Sequence, residues 1–430
     1  MEKKNRRKFL SDLGITLGAI TIGRNVVQAI PPDGGGKQKA LPTGTTPALK
    51  HEIDFRYAPG TWQSTYCYPD DPCKSLVGKH GELLVGHPGN GAGYDSFPHV
   101  VSVGLRDHPP GSFVGQKLEG PGIPIITTQL SWGDLTAFLT SFATNEPEEG
   151  RVDNLLAEFR SKGKAGGGCS PEIVVTSGSK FVSEVADELS SGRHRVGIVK
   201  LEGSQSPFFM VDSAVESEEH EALHRYPLET GSLNNGESVK FFLRFPQEGQ
   251  PPDKLKRGIG RADQLLAASR SFWEEWKPFE GKVGWKLTNG HQDFLVACAR
   301  NIVEAREIKN GGKESRVGST IDRGMRIVDS VFLIEAARYL GYDKEAQESL
   351  ESIWKLQDAS GAFVAGAGEA RWKDTAAAVY ALLRQAELSQ DWEFFHAAYP
   401  DAHKAMMFLG KLLERAQSDG SANGKYGLLP

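Results

Sequence analysis

RGMRIVDSVFLIEAARYLGY, residues Arg323 to Tyr342, decides how the second half of this 430-residue chain is read. From Ile327 onward the stretch is apolar enough for a buried helix, and Val328, Phe332, Ala336 and Tyr339 recur at helical spacing. Gly341 supplies a stop, because glycine takes the left-handed position just past a helix end without strain. Asp343 then stands where the following helix needs an N-cap. The first turn nevertheless carries Arg326 and Asp329, a cation and a carboxylate that share one face at i and i+3.

The same texture continues outward. Phe294, Cys298, Ile302 and Ala305 predict the face of a preceding helix. Ala346, Leu350, Ile353, Trp354 and Gln357 line the next, which ends in the turn QDASGAF around Gly361. Ala376, Val379, Tyr380 and Leu383 line a fourth, Trp392 begins a short one, and Ala405, Phe408, Leu409 and Leu412 line the last. Helices joined by such short stops are expected to pack as αα-hairpins. Upstream, Leu265, Leu266, Ser269, Phe272, Trp273 and Trp276 form one apolar stripe on a linking helix ended by Pro278. Trp273 and Trp276 are expected to fasten it to the region before it.

That region, from about His51 to Gly249, has the texture of strands. VVSVGL, IPIITTQLSW, RVGIVKLEG and SVKFFLRFP are short β-branched and aromatic runs separated by Gly, Pro, Asn and Asp. Val239, Phe241, Leu243 and Phe245 alternate onto one face. Many short strands with such punctuation predict a sandwich, with a firm turn at SLNNGES and a short helix at Glu184 to Leu189 capped by Ser183. Residues 30 to 50 are rich in Pro, Gly, Thr and Lys and read as a linker.

The first 29 residues carry Arg6 and Arg7, then Phe9 and Leu10, a mildly apolar stretch from Leu13 to Gly23, and the small-residue site Val27-Gln28-Ala29. This order resembles a twin-arginine export signal, which implies a periplasmic or secreted chain starting near Ile30. An oxidising compartment permits a bridge between Cys67 and Cys73. Cys298, inside a helical pattern, reads as a small core residue. The formal net charge of -5, with no basic block beyond the N-terminus, excludes nucleic acid as an expected partner. No run approaches the roughly 18 apolar residues of a membrane span. No cysteine pair or histidine cluster has zinc spacing, so no metal and no cofactor is expected.

FWEEW (Phe272–Trp276), Arg326 through Phe363, Trp372 through Pro400 and YGLLP (Tyr426–Pro430) occur in an order that resembles the six-hairpin glycosidase superfamily. The resemblance implies an α+β multidomain chain: a β-super-sandwich over 51–250, a linking helix over 257–277, and part of an (α/α) toroid over 285–430. It covers the helical part well and the strand region only by texture and order. In that superfamily an Arg-Asp pair at the start of a toroid helix contacts the sugar. Arg326 and Asp329 are similar to it, with two residues between them where many members have none. Trp372 and Lys373 are implied as further substrate contacts, and Asp374 as the available candidate for the catalytic acid. Asp322 and Arg323 lie on the loop before the paired helix. Each has a plainer reading: Arg326–Asp329 as an intrahelical ion pair, Asp374 as a first-turn carboxylate, Trp372 as packing.

Glycoside hydrolysis commonly takes two carboxyl groups. The family's acid lies on later loops of the toroid and its base near the end. YGLLP resembles a stretch at the toroid midpoint, and with about three hairpins counted at typical helix lengths, the chain is expected to be an N-terminal part of such an enzyme. The expected function is thus an exported hydrolase of oligosaccharide glycosidic bonds, by inversion if the family tendency holds. A non-catalytic carbohydrate-binding or structural exported protein is the alternative, and an epimerase or lyase on the same toroid is a third reading.

Overall fold

The computed structural model describes most of residues 62–418, together with Ile53 and Phe55; segments 87–96, 164–169, 189–193, 277–290, 317–324 and 366–371 are among those outside the described residues. The export signal, the 30–50 linker, Cys169, Pro278, Asp322, Arg323 and YGLLP all fall outside them. The described chain is α+β, with two large antiparallel sheets followed by helices.

The first sheet has seven strands in the order β1 (Gln63–Tyr66), β2 (Ser75–Gly78), β3 (Leu83–Val85), β4 (His99–Leu105), β9 (Pro171–Ser177), β14 (Leu223–Pro227) and β13 (Glu218–His220). The second has eight: β10 (Phe181–Glu188), β11 (His194–Leu201), β12 (Phe209–Val211), β15 (Ser238–Pro246), β8 (Gly150–Ser161), β7 (Leu135–Glu146), β6 (Ile126–Trp132) and β5 (Ser112–Leu118). One apolar core joins them, drawing Tyr66, Val101 and Ile173 from the first and Leu139, Phe159 and Phe209 from the second. The alternation in β15 is obeyed: Phe241, Leu243 and Phe245 point into this core, while Phe242 points out of the other face.

That other face is covered in turn. Phe142, Leu156, Met210 and Phe242 pack under α1 (Pro252–Lys256) and α2 (Ala262–Glu275), with Leu255, Ile259, Leu265 and Trp273 as the covering side chains. Trp273 is almost wholly buried and stacks toward Tyr68, so it fastens the linking helix as expected. Arg244, fully buried in β15, reaches through to Glu149, Asn154 and the Leu255 carbonyl. Gly258 lies so close that an added Cβ would sit 1.7 Å from Arg244 Nη1, so a larger residue there would have to displace the buried guanidinium from its partners.

Seven helices are described, and after α2 they are α3 (His291–Ala305), α4 (Ile327–Tyr339), α5 (Asp343–Trp354), α6 (Trp372–Ser389) and α7 (Trp392–Ser418). A small hairpin, β16 (Arg306–Lys309) with β17 (Gly312–Ser315), interrupts the helical run; it was not foreseen. Asp70, between β1 and β2, binds this hairpin from the sheet side. It accepts from Arg306 Nε at 2.8 Å, Lys313 Nζ lies 3.4 Å away, and Ile308 N donates to its carbonyl at 3.2 Å.

Gly341 stops α4 as read, at φ 80°, with Gly341 N bonding Arg338 O and Tyr342 N bonding Ala337 O. Several other expectations are corrected. Phe181–Glu188 is a strand rather than the seat of a short helix, because all eight positions pair with β11. The expected short helix at Trp392 and the last helix are one, running through Pro400; the carbonyl that Pro400 leaves unpaired belongs to His396, and both residues are exposed to water. Asp343 does not cap α5 but begins it, and its carboxylate accepts from Arg338 at 2.8 Å. Cys67 and Cys73 are free thiols. Their loop is closed instead by Asp71, which accepts from Tyr68 N and Cys73 N and pairs with buried Arg151.

The predicted faces of α3 and α4 are also rotated. In α3 the buried residues include Ala299, Arg300 and Val303, while Phe294 is 66% exposed and Cys298 only half-buried. In α4 the inward side chains are Ile327, Ser330, Val331, Ile334, Ala337 and Arg338. Phe332 and Tyr339, expected inside, stand outside. The α5 face is as read, with Ala346, Leu350 and Ile353 buried. In α6, Val379 is buried but Tyr380 is exposed, and the inward set is Thr375, Ala378, Leu382, Gln385 and Ala386.

Candidate functional site

The rotation of α4 is set by two polar anchors on its buried side. Ser330 Oγ donates to Ser315 O of β17 at 2.6 Å. Arg338 reaches Gln385 of α6 as well as Asp343. With these fixed, helical geometry turns Asp329, Phe332, Ala336 and Tyr339 to the opposite side, since they follow one another three or four residues apart.

Residue pairs between α4 and α6 give their relative direction. Glu335 meets Tyr380 and Arg384, Arg338 meets Gln385, and Tyr339 meets Arg384. Partners advance together along both helices, so the two run side by side in the same direction. Their N-termini therefore lie at one end, which brings the start of α4, with Arg326 and Asp329, alongside the start of α6, with Trp372, Lys373 and Asp374.

Within this end the five residues divide. Arg326 occupies the N-cap position of α4 with extended backbone, its carbonyl accepting from Ser330 N at 2.9 Å, and its side chain is exposed. Asp329 is exposed in the first turn. Trp372, at 38% exposure, and Lys373 also face water. Asp374 does not join them: it is buried, beside Thr375, whose Oγ1 accepts from Phe363 N at 3.1 Å and pins that side of α6 inward.

The outward stripes of the two helices meet at Glu335, which sequence reasoning passed over. Its carboxylate accepts from Arg384 Nη2 at 2.6 Å, from Tyr339 OH at 3.0 Å and from Tyr380 OH at 3.2 Å. The Arg384 hydrogen bonds hold the Glu335 carboxyl below its usual range, so it stays ionised at neutral pH. It thereby fixes two tyrosine rings that are themselves substantially exposed. The signal was present, as Glu335, Tyr339, Tyr380 and Arg384 are all polar or amphipathic. It was hidden because Tyr339 and Tyr380 had been placed in the core.

The result is one solvent-facing side carrying Phe332 (64% exposed), Tyr339, Tyr380 and Trp372, with Asp329 and Lys373 toward the N-terminal end. Exposed aromatic rings offer flat apolar surface, while carboxylate, ammonium and tyrosine hydroxyl offer hydrogen bonds. That combination suits a ligand with apolar faces and polar edges.

No family model matches the chain, and no curated protein matches it. Solved structures overlap it at low similarity. One is described as a putative kojibiose phosphorylase from human microbiome, at 9% identity and TM-score 0.43, covering 78% of this chain and 54% of that one. Another is a GH92 family glycosyl hydrolase, at 10% identity and TM-score 0.31, covering 80% and 59%. A third is a polysaccharide lyase, at 9% identity and TM-score 0.23, covering 82% and 69%. The chain thus spans about half the length of the first of these structures. Likeness at this level bears on none of the residues above.

Proposed function

We propose that this chain is an exported carbohydrate-active protein, a glycoside hydrolase or the N-terminal part of one, that takes a glycan on the outward side of α4 and α6. The reading is supported by one arrangement above all. Two helices running in the same direction present Asp329, Phe332, Tyr339, Trp372, Lys373 and Tyr380 together on a solvent-facing side. They do so after an antiparallel two-sheet sandwich, the element order that the resemblance to six-hairpin glycosidases implies. In this reading the sandwich occupies 51–250, a partial toroid occupies 285–430, and the first 29 residues direct export by the twin-arginine route to the periplasm. Sugar rings lie against Phe332 and Trp372, and Arg326, Asp329 and Lys373 bind hydroxyls.

Asp374 remains the candidate acid of this reading, and the partner carboxyl that hydrolysis requires is not assigned. The burial of Asp374 away from the aromatic side favours the second reading, in which the protein binds glycan without cleaving it. Calorimetric titration with oligosaccharides, paired with a reducing-end assay, separates the two. Binding with release of new reducing ends marks the hydrolase; binding alone marks the glycan-binding protein. In both, Asp329→Asn lowers affinity about tenfold, the loss of roughly 1.4 kcal/mol expected for a charged hydrogen bond. Equal affinity in mutant and parent removes α4 from the site.

A further inference from the structure

A cavity of about 490 Å³ lies far in sequence from the α4–α6 side, at one edge of the sandwich. Its walls come from three places: the edge strand β1 with Trp62, Ser64 and Lys74 nearby, the end of the other edge strand β5 at Leu118, and α3 with Asn301 and Glu304. The volume falls within the roughly 300–1,000 Å³ typical of small-molecule sites. The walls are rigidly held. Gly122, between β5 and β6, presses against α3 so closely that a Cβ would lie 2.9 Å from Ala297 Cα. Arg300 bonds both Pro121 O and Trp273 O.

Among the residues lining the cavity, Glu304 carries a side-chain oxygen that the fold leaves unpaired. Its Oε1 is shut off from solvent and has no hydrogen-bond partner. Leaving a buried polar atom unpaired costs on the order of 1–3 kcal/mol, a cost relieved if the carboxyl, whose residue lines the cavity, turns to meet a polar ligand there. The charged neighbours do not satisfy it: Lys74 Nζ is turned to Arg306 O at 2.8 Å, and Arg300 is spent on the two carbonyls just named. Burial pushes the Glu304 carboxyl up to about 8, with Lys74 and Arg300 only partly offsetting it. At neutral pH the group is therefore mostly a neutral acid, able both to donate and to accept.

We infer that this edge cavity is a second ligand site, which binds one neutral hydroxylated ring, a single pyranoside unit, with a ring hydroxyl bonded to Glu304 and the ring flanked by Trp62 and Leu118. Charge decides against other classes. A cationic ligand would meet the Lys74 ammonium in the wall, and an anionic one would lie against the Glu304 carboxyl. The walls, largely apolar with a few polar groups, match a polyol ring rather than a polyphosphate. Among the described residues Glu304 is the one carboxyl group lining the cavity, and glycoside hydrolysis commonly takes two, so binding alone is inferred. The choice of a sugar among neutral polyols rests on the glycan reading above; the position of the site does not.

The test uses the full chain, titrated calorimetrically with the methyl pyranosides of glucose, mannose and galactose up to 100 mM at pH 6 to 10. At least one is expected to bind at pH 7, with affinity falling toward tenfold per pH unit above about 8 as Glu304 ionises. The Cys67 thiol, pushed by burial to about 12, stays neutral over this range. Glu304→Gln, neutral and still able to donate, keeps affinity within about twofold at pH 7 and removes the pH dependence. Glu304→Leu and Trp62→Ala each lose more than tenfold. The inference is overturned if none of the three pyranosides binds, if Glu304→Leu binds like the parent, or if the parent's affinity does not change with pH. Loss of pyranoside binding in Asp329→Asn with none in Glu304→Leu would keep the glycan reading and reject this cavity. The reverse pattern would keep the cavity and reject the α4–α6 site.

Discussion

The sandwich and the helical layer satisfy their apolar residues differently. Sheet residues are covered on both sides, by the opposing sheet and by α1 and α2, so Phe241 and Phe242, adjacent in sequence, are both buried. Helical residues are covered on one side only among the described residues. Ile334 is buried, while Phe294, Phe332 and Met407 are each more than half exposed. Apolar content therefore means core in the first region. In the second it means either core or a surface that binds something, and only the phase of the helix tells which.

The largest test of this contrast is Trp273→Ala. It empties a position with 1% exposure between α2 and the second sheet, and is expected to cost about 3–5 kcal/mol in urea unfolding. A loss below 1 kcal/mol would mean that α2 is not holding the sheet. Next comes Ser330→Ala, which strands the Ser315 carbonyl and frees the rotation of α4; about 1–2 kcal/mol is expected. Its oligosaccharide affinity should fall too, because Asp329 and Phe332 lose their fixed direction. Phe332→Ala is the smallest, expected within about 0.5 kcal/mol of the parent in stability while weakening oligosaccharide binding. A loss as large as that of Trp273→Ala would place Phe332 in a core and break the comparison.

Acid and base separate the regions as well. Glu304 is raised when folded, so the folded state binds more protons than the unfolded one between about pH 4.5 and 8. Its contribution to stability is greatest at low pH and declines as pH rises through that window. Glu335 is depressed by Arg384, so its contribution is present at neutral pH and is lost as pH falls through the carboxylate range. Thermal melts from pH 3 to 9 should show Glu304→Gln losing the decline toward pH 8, and Glu335→Gln losing stability at pH 7 but not at pH 3. Identical pH profiles for both variants would refute the assignment.

The strand region was legible because its period of two admits only two phases, and Val239 to Phe245 chooses one of them outright. Gly341 was legible because its positive φ requires that residue type. The face of α4 was not, since Val328, Val331, Phe332, Leu333 and Ile334 surround it with apolar residues and leave periodicity no phase to report. Its orientation comes from Ser330 and Arg338, whose partners lie on β17 and α6, distant in sequence. The same distance hid Glu304. In ARNIVEA it reads as an ordinary surface glutamate, and only the closing of the sandwich edge over α3 shuts its Oε1 off from solvent. The start of α4, by contrast, was identified from sequence with Arg326 and Asp329 in its first turn, and the structure leaves both side chains exposed there.

Asp70 carries a further consequence. One residue of the β1–β2 connection receives a guanidinium, an ammonium and a backbone amide from the hairpin that joins α3 to α4. Fraying of the hairpin strands that carboxylate, and loss of the first sheet's edge strands Arg306 in turn. Sheets and helices are thereby coupled into one cooperative unit, and calorimetry should record a single heat-absorption peak that splits in Asp70→Ala.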